Sequence, residues 1–454
     1  MASRTLLLIS QTASPFGGVE TWLDKVCAAL PAHGWRPVVG AVRGVSTHRP
    51  ERFLAERPGV EAVEIDGRGM PSEGRVRAVV RCIRRVAPSI VVPLVVADAH
   101  EAACRAKLAG QGIRYVAAVH GHVPCQIADL RRVAAFVDLA VCPGALTCRL
   151  VEWAGVPPER VRRVPNGVEP PRRPHVPRPP GAPIRLGYVG RMTQQDKRVL
   201  DLIPLCAALR EQGTSYTLDV VGDGPARAEL QHTLAASGDG ARIRFHGALP
   251  HDALFDRIYP QLDCLMVFSE SEAFGIAIRE AMLHGVVPVS SRFLGHAAEG
   301  IVRDGETAML FDVGDAWAAA ACVQPLSADP QLWSRLSAAA RARGKGGLTW
   351  EGSLERWAAA LDAVLEMPCR TGNSLPDRPR CARGLLDAWR IPGPVKDGLR
   401  WGRRALFGIP RRQRNGEEWP WANQDHGEDV LREIEAARRR LDVCQPGRWS
   451  EEGT

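Results

Sequence analysis

The sequence predicts an α/β protein made of two open, mostly parallel-sheet domains in tandem. Three observations carry that reading. Short apolar runs alternate with amphipathic stretches over residues 1–168. The composition then breaks at Glu169–Pro183, EPPRRPHVPRPPGAP, a Pro-rich extended connector with arginines. A second alternating series starts at once with Ile184 and runs to about Glu366. Strands that alternate with helices imply parallel pairing, because a parallel crossover needs an intervening helix.

The elements follow in order. Arg4–Ser10 (RTLLLIS) reads as a buried strand, followed by a loop containing Gly17-Gly18. Val19, Trp22, Leu23, Val26, Cys27 and Leu30 then recur at helical spacing. His33-Gly34 ends that helix, and Trp35–Val42 is the next strand. Val60–Ile65, Ile90–Val96, Tyr115–Val119 and Leu139–Cys142 are further strand-like runs with helical stretches between them. In the second series Ile184–Val189, Tyr216–Val221, Ile243–Phe245, Leu265–Phe268 and Val286–Ser290 read as strands. Leu200–Glu211, Gly224–Ala236 and Ile276–His284 read as helices, and further helices reach about Glu366. These segments imply domains at 1–168 and 184–350, a final helix at 351–367 that turns back towards the first domain, and an extension at 368–454.

Composition excludes several classes. With 454 residues, 45% apolar and 24% charged, the chain has enough apolar residues for sizeable cores. The longest apolar stretch, near Ser89–Ala99, falls short of a membrane span, and Leu6–Ile9 is too short for a signal-peptide core. The expectation is a cytoplasmic protein, soluble or peripheral on the cytoplasmic face of a membrane. The 12 cysteines form no CxxC, which argues against a zinc ribbon or a disulfide framework. The net charge of +8 is concentrated: Arg370–Arg414 holds 12 basic and 3 acidic residues, a net +9. The folded part is close to neutral, so nucleic acid is not an expected partner.

In open parallel sheets ligands bind outside the carboxyl ends of the strands, and several loops there carry chemistry. Gly17-Gly18 lets backbone approach a ligand before a helix N-terminus, although such pairs are common in ordinary turns. Gly190-Arg191 and Lys197 can aim two cations at one point, a natural seat for a diphosphate. Ser269–Met282 (SESEAFGIAIREAM) places Glu272 in a loop, opens a helix at Phe274-Gly275-Ile276, and sets Glu280 eight residues after Glu272. An acidic helix start is favoured by the dipole anyway, which accounts for Glu272 but not for Phe-Gly. His120-Gly121-His122 ends a strand without a third metal ligand placed by spacing, and reads as a polar histidine lining a cleft. Val221-Gly222-Asp223-Gly224-Pro225 begins like a dinucleotide fingerprint, but Arg227 stands at the third glycine position. No DxD pair is available to hold a nucleotide-bound metal.

Together these segments resemble the retaining glycosyltransferases of family 4, whose fold is GT-B. The resemblance covers about residues 5–366. GRMTQQDK is similar to the family's G-R-x-x-x-x-K, VVGDGP to its V-G-x-G-P, and SESEAFGIAIREAM to its E-x₇-E block. HAAEGIVRDGETAMLF resembles the block that follows, with Ala297-Ala298 in place of the usual Ile-Pro and Ala308 in place of a glycine. The resemblance implies two Rossmann-like domains facing a central cleft, and sugar transfer with retention from a nucleotide-diphospho-sugar, without a cofactor or metal. It implies that Arg191 and Lys197 neutralise the donor diphosphate and that Glu280 holds the ribose. Glu272 would hold a donor-sugar hydroxyl, and backbone at Gly190, Phe274, Gly275 and Ile276 would line the donor. Gly17 and Gly18 would close over the phosphate, and His120 would line the cleft near the transferred sugar. The expected acceptor is a glycan or a lipid-linked glycan.

The extension adds one expectation. As a helix, Pro394–Gly408 (PVKDGLRWGRRALFG) would gather Lys396, Arg400, Arg403 and Arg404 on one side, suited to an anionic membrane surface. Pro368–Trp421 reads as poorly packed or partly disordered and Glu428–Leu441 as a charged helix. Two other readings stay open: a GT-B sugar-nucleotide epimerase, and a nucleic-acid or membrane adaptor that works through the basic tail.

Overall fold

The structure is a computed structural model. It describes residues 4–14, 17–344, 349–375, 395, 399, 419–422, 426–443 and 449. The chain divides into two compact units, Met1–Pro165 with Ser353–Leu441, and Asn166–Gly352 with Asp442–Thr454.

The first unit is built on seven parallel strands: β1 Arg4–Ser10, β2 Trp35–Arg43, β3 Ala62–Asp66, β4 Ile90–Leu94, β5 Arg114–Ala118, β6 Leu139–Cys142 and β7 Val161–Arg163. Their order across the sheet is β3-β2-β1-β4-β5-β6-β7. Every β1 residue except Arg4 is buried, as the unbroken apolar run requires for a strand covered on both faces. β7 is absent from the sequence reading, because Val161-Arg162-Arg163 has neither the length nor the apolar content of a strand signal.

The second unit repeats the design with β8 Ile184–Val189, β9 Tyr216–Val221, β10 Ile243–Gly247, β11 Cys264–Val267, β12 Val287–Ser291 and β13 Met309–Phe311. The order is β10-β9-β8-β11-β12-β13, with every pair parallel. Its core is mostly aliphatic, with Leu186, Val199, Leu202, Leu209, Leu218, Val220 and Val289 all buried beside Tyr216, Phe268 and Phe311.

The long helix Trp350–Glu366 enters the first unit at Ser353. Its Trp357 ring lies 4.8 Å from that of Trp22. Its Asp362 accepts from Arg4 Nη1 at 2.6 Å and Trp35 Nε1 at 3.0 Å. Arg114 donates to the carbonyls of Val364 and Met367, which satisfies carbonyls that a helix end leaves without partners.

Most of the Pro368–Trp421 segment expected to pack loosely lies outside the described residues, but its two described ends make defined contacts. Arg370 N donates to Asp138 Oδ1 at 2.7 Å and Arg160 donates to the Pro368 carbonyl at 2.9 Å. Gly372 lies against Phe136 so closely that a Cβ would fall 2.5 Å from its ring. Trp419 is fully buried. The helix Glu428–Leu441 buries Ile434 and Ala437, and Arg149 donates to the Leu441 carbonyl at 2.8 Å. The amphipathic segment 394–408 lies outside the described residues except for Val395 and Leu399, both exposed. Among the described residues no helix is long and apolar enough to cross a membrane.

Candidate active site

In the second sheet the connections reverse direction between β8 and β11, which are neighbours. The loops after these two strands therefore flank the crevice where doubly wound sheets take their ligands. Gly190, Arg191 and Lys197 follow β8, and Ser269–Gly275 follow β11.

Backbone contacts fix the first loop. Gly190 N donates to Val221 O at 3.1 Å, and Met192 N to Asp223 O at 2.8 Å. Gly222, at φ +132, leaves no room for a side chain: a Cβ there would sit 1.8 Å from the Gly190 carbonyl oxygen. The Gly-Asp-Gly motif thus lets the loops after β8 and β9 touch, which is a packing role rather than a dinucleotide fingerprint.

On this frame, Arg191 stays two-thirds exposed and reaches Asp196 at 2.6 Å. Burial raises the Asp196 carboxyl, but the Thr193 hydroxyl, Arg191 and Lys197 outweigh it and hold the group below the usual range. Lys197 Nζ donates to Glu272 Oε1 at 2.6 Å, and Ser269 Oγ donates to the same oxygen at 2.6 Å. The Glu272 loop is pinned on its other side, where Leu294 N donates to Glu270 O at 2.9 Å and Ser291 Oγ to Ser269 O at 2.6 Å. Tyr188 donates its hydroxyl to the Arg191 carbonyl at 2.7 Å. Burial, with Glu272 and Asp196 nearby, pushes that phenol up, so it keeps the proton it donates.

Phe-Gly before the helix Ile276–Leu283 has a conformational reason. Gly275 sits at φ +68, in the left-handed region that a Cβ disfavours. Phe274 is buried under the Arg279 guanidinium, 4.4 Å from the ring centre. Ile276 opens the helix, whose first turn leaves backbone N–H groups unpaired within the helix.

Glu280 is buried, and both its oxygens already have protein partners. Tyr259 Oη donates to Oε2 at 2.8 Å, and His251 Nε2 lies 2.8 Å from Oε1. A ribose would share these oxygens, each of which has a second lone pair. Tyr259 and His251 precede Glu280 by 21 and 29 residues, and no spacing rule ties either of them to it.

The structure gathers Gly190, Arg191, Lys197, Glu272, Phe274, Gly275, Ile276 and Glu280 in the second unit, whereas Gly17, Gly18 and His120 belong to the first. Gly18 begins the helix Gly18–Ala29, and a Cβ on Gly17 would meet the Glu20 carboxylate at 2.3 Å. His120 follows β5 and stands edge-on to Trp22, with ring centres 4.8 Å apart. Burial pushes its imidazole down to about 4, so it is neutral at pH 7, and its buried Nε2 has no hydrogen-bond partner among the described residues.

Among the described residues, His120-Gly121-His122 gathers no third metal ligand, whereas Glu169, His251 and Asp252 do converge within 4.8 Å. Arg172 pairs with Glu169 at 3.1 Å and with Asp252 at 2.7 Å, so a single guanidinium already engages both carboxylates of that cluster. A cavity of about 1090 Å³, lined by Arg4, Asp24, Trp35, Arg57 and Asp362, lies at the amino ends of β1 and β2, opposite the ligand-binding ends.

Comparison with known proteins agrees with this geometry. Residues 16–172 match the family described as Glycosyltransferase Family 4, and residues 183–329 match that described as Glycosyl transferases group 1. A 2-deoxystreptamine glucosyltransferase of Streptomyces kanamyceticus is 36% identical over 115 residues, 25% of this chain and 29% of that protein. The lipopolysaccharide core biosynthesis glycosyltransferase LpsE of Rhizobium meliloti is 30% identical over 148 residues, 33% of this chain and 40% of that protein. The matched stretches thus span well under half the length of these relatives. Among solved structures, sucrose-phosphate synthase from Thermosynechococcus elongatus superposes with a TM-score of 0.65 at 18% identity, covering 80% of this chain and 99% of that one. Anabaena Alr3699/HepE, solved with UDP and glucose, gives 0.62 at 18% identity, covering 79% and 99%. Two doubly wound parallel sheets thus give this chain the GT-B fold, and the strands of both sheets, β1 apart, lie in stretches that match glycosyltransferase family models.

Proposed function

We propose that this protein moves a sugar from a nucleotide-diphospho-sugar to an acceptor hydroxyl, with retention of anomeric configuration and without a metal. The observation that carries the proposal is the contact of Lys197 with Glu272 at the reversal point of the second sheet, with Arg191 on the same loop as Lys197. A lysine from one loop meets a carboxylate from the next, and a helix start follows that carboxylate in the chain. Matches to curated sugar transferases support the reaction class.

The chemistry follows from charge. Negative charge grows on the diphosphate as the glycosidic bond breaks. Cations held beside it therefore stabilise the transition state more than the ground state. Glu272 is positioned to accept from a sugar hydroxyl, and Glu280 from a ribose. The departing phosphate takes the acceptor proton, so retention needs no protein nucleophile. His120, neutral at pH 7, can line the sugar without adding charge. The acceptor is a polyol ring, free or lipid-linked.

The test is a thermal-shift panel of UDP, GDP, ADP, NAD and a short RNA on the protein and on Arg191→Ala. A ligand at about 100 times its Kd adds ~2.7 kcal/mol of stability. A shift from one nucleoside diphosphate that Arg191→Ala loses is expected, and it names the base. A response to RNA alone would transfer the function to the basic tail.

A further inference from the structure

The first sheet has its own reversal point, between β1 and β4. By the rule that places the donor loops in the second unit, a ligand of the first unit belongs outside the carboxyl ends of these strands. The extension occupies part of that place. Trp419 Nε1 donates to the carbonyl of Arg43, the last residue of β2, at 2.9 Å. Its carbonyl accepts from Gln11, just after β1, at 3.3 Å. The Pro420 carbonyl accepts from Ala97 N, at the start of the helix that follows β4, at 3.0 Å.

The fit around the indole is close. Trp419 is 1% exposed. A Cβ on Gly67, the residue after β3, would fall 2.3 Å from its ring. The guanidinium of Arg75, held by buried Asp98 at 2.5 Å, lies 5.8 Å from the ring centre. Two residues on, Trp421 is 37% exposed and Ala422 is fully buried, so the segment is anchored on both sides of one solvent-facing indole. Val95, between β4 and Ala97, has φ +51, a strained conformation for a β-branched residue of the kind that gathers at functional sites.

We infer that the Trp419–Ala422 segment builds one wall of the acceptor crevice, with Trp419 as a positioning residue and the exposed indole of Trp421 as the surface on which the acceptor ring stacks. The inference rests on the transferase reading. A sugar or cyclitol ring has an apolar C–H face that a rigid indole can cover at little entropic cost. Trp419 contacts no ligand in this arrangement. It fixes the backbone that presents Trp421.

The test uses the full chain, Trp421→Ala, Trp419→Phe and Gly67→Ala, with UDP-glucose, GDP-glucose and ADP-glucose as donor probes. Acceptor probes are 2-deoxystreptamine, methyl glucoside and octyl glucoside. Donor hydrolysis without acceptor and the thermal midpoint are measured alongside. Trp421→Ala should raise the KM of the best acceptor roughly tenfold, while donor hydrolysis and the midpoint stay at wild-type values (1.4 kcal/mol per factor of ten). Trp419→Phe and Gly67→Ala should raise the same KM by disturbing the anchor, Gly67→Ala by a Cβ that meets the ring. Unchanged acceptor KM in folded Trp421→Ala overturns the inference, as does a lowered KM, which would make the segment an obstruction. Donor hydrolysis with no use of any ring acceptor also overturns it and leaves the donor site standing. Absence of both hydrolysis and transfer with every donor overturns the transferase reading itself.

Discussion

Lys197 and Ser269 donate to the same oxygen of Glu272, each at 2.6 Å, from the loops after β8 and β11. The lysine that would meet the donor diphosphate is thereby held against the carboxylate that would meet the donor sugar. The pair joins residues 75 apart in sequence, and its charge is balanced before any ligand arrives.

Lys197→Ala and Glu272→Gln should each lower turnover by at least about tenfold, the equivalent of 1.4 kcal/mol in the barrier. Both side chains keep some solvent contact, so the urea midpoint should move by no more than ~1 kcal/mol of stability. Steady-state rates and denaturation on the same preparations check the two halves. Full turnover in both variants would remove these residues from the site.

Gly222→Ala and Gly213→Ala make a matched pair. Both glycines have positive φ, +132 and +68, but only Gly222 is crowded; nothing lies within 4 Å of a Cβ at Gly213. Gly213→Ala should cost about 1–2 kcal/mol for the backbone alone. Gly222→Ala should cost far more and should abolish nucleotide-induced thermal shifts, because it forces apart the loops that carry Arg191 and Asp223. Equal losses would contradict the close approach.

The first unit contains a buried ion pair between Lys107 and Asp138. Lys107 also donates to the Phe136 carbonyl at 2.9 Å, and Asp138 accepts from Tyr115 N and Arg370 N, each at 2.7 Å. Lys107→Met leaves the carboxylate without its cation and should cost roughly 3–5 kcal/mol by urea unfolding. Asp138→Asn should in addition weaken the hold on Arg370, read as faster proteolysis after residue 370.

His48, His100 and His120 are each pushed by burial from 6.5 down to about 4. Between pH 6.5 and about 4 the unfolded chain binds protons that these imidazoles refuse. Stability therefore falls as pH falls through that window and is fully present above it. His120→Phe keeps a ring against Trp22 and should flatten the pH dependence of unfolding free energy by up to ~1.4 kcal/mol per unit. A curve parallel to that of the wild type would show that His120 titrates normally.

The alternation of apolar runs with amphipathic helices determined two parallel sheets, because only a strand covered on both faces demands a continuous run such as Leu6–Ile9. The residues proposed for the donor side stood out in the sequence for a related reason. Gly190-Arg191, Lys197 and the Glu272–Glu280 block each lie within one loop and its helix, where spacing is set by local geometry. Other features had no such local constraint. β7 and β13 have three residues each, and their neighbours across the sheet make them strands. Tyr259 and His251 reach Glu280 across the fold, and their identities carry no spacing rule. The extension is the plainest case. Arg, Pro and Trp without periodicity read as a solvated tail, yet Trp419 is buried because strands β1 to β3 and Gly67 together offer a slot of indole size. Such a slot exists only once distant segments are folded side by side, so tertiary structure alone decided it.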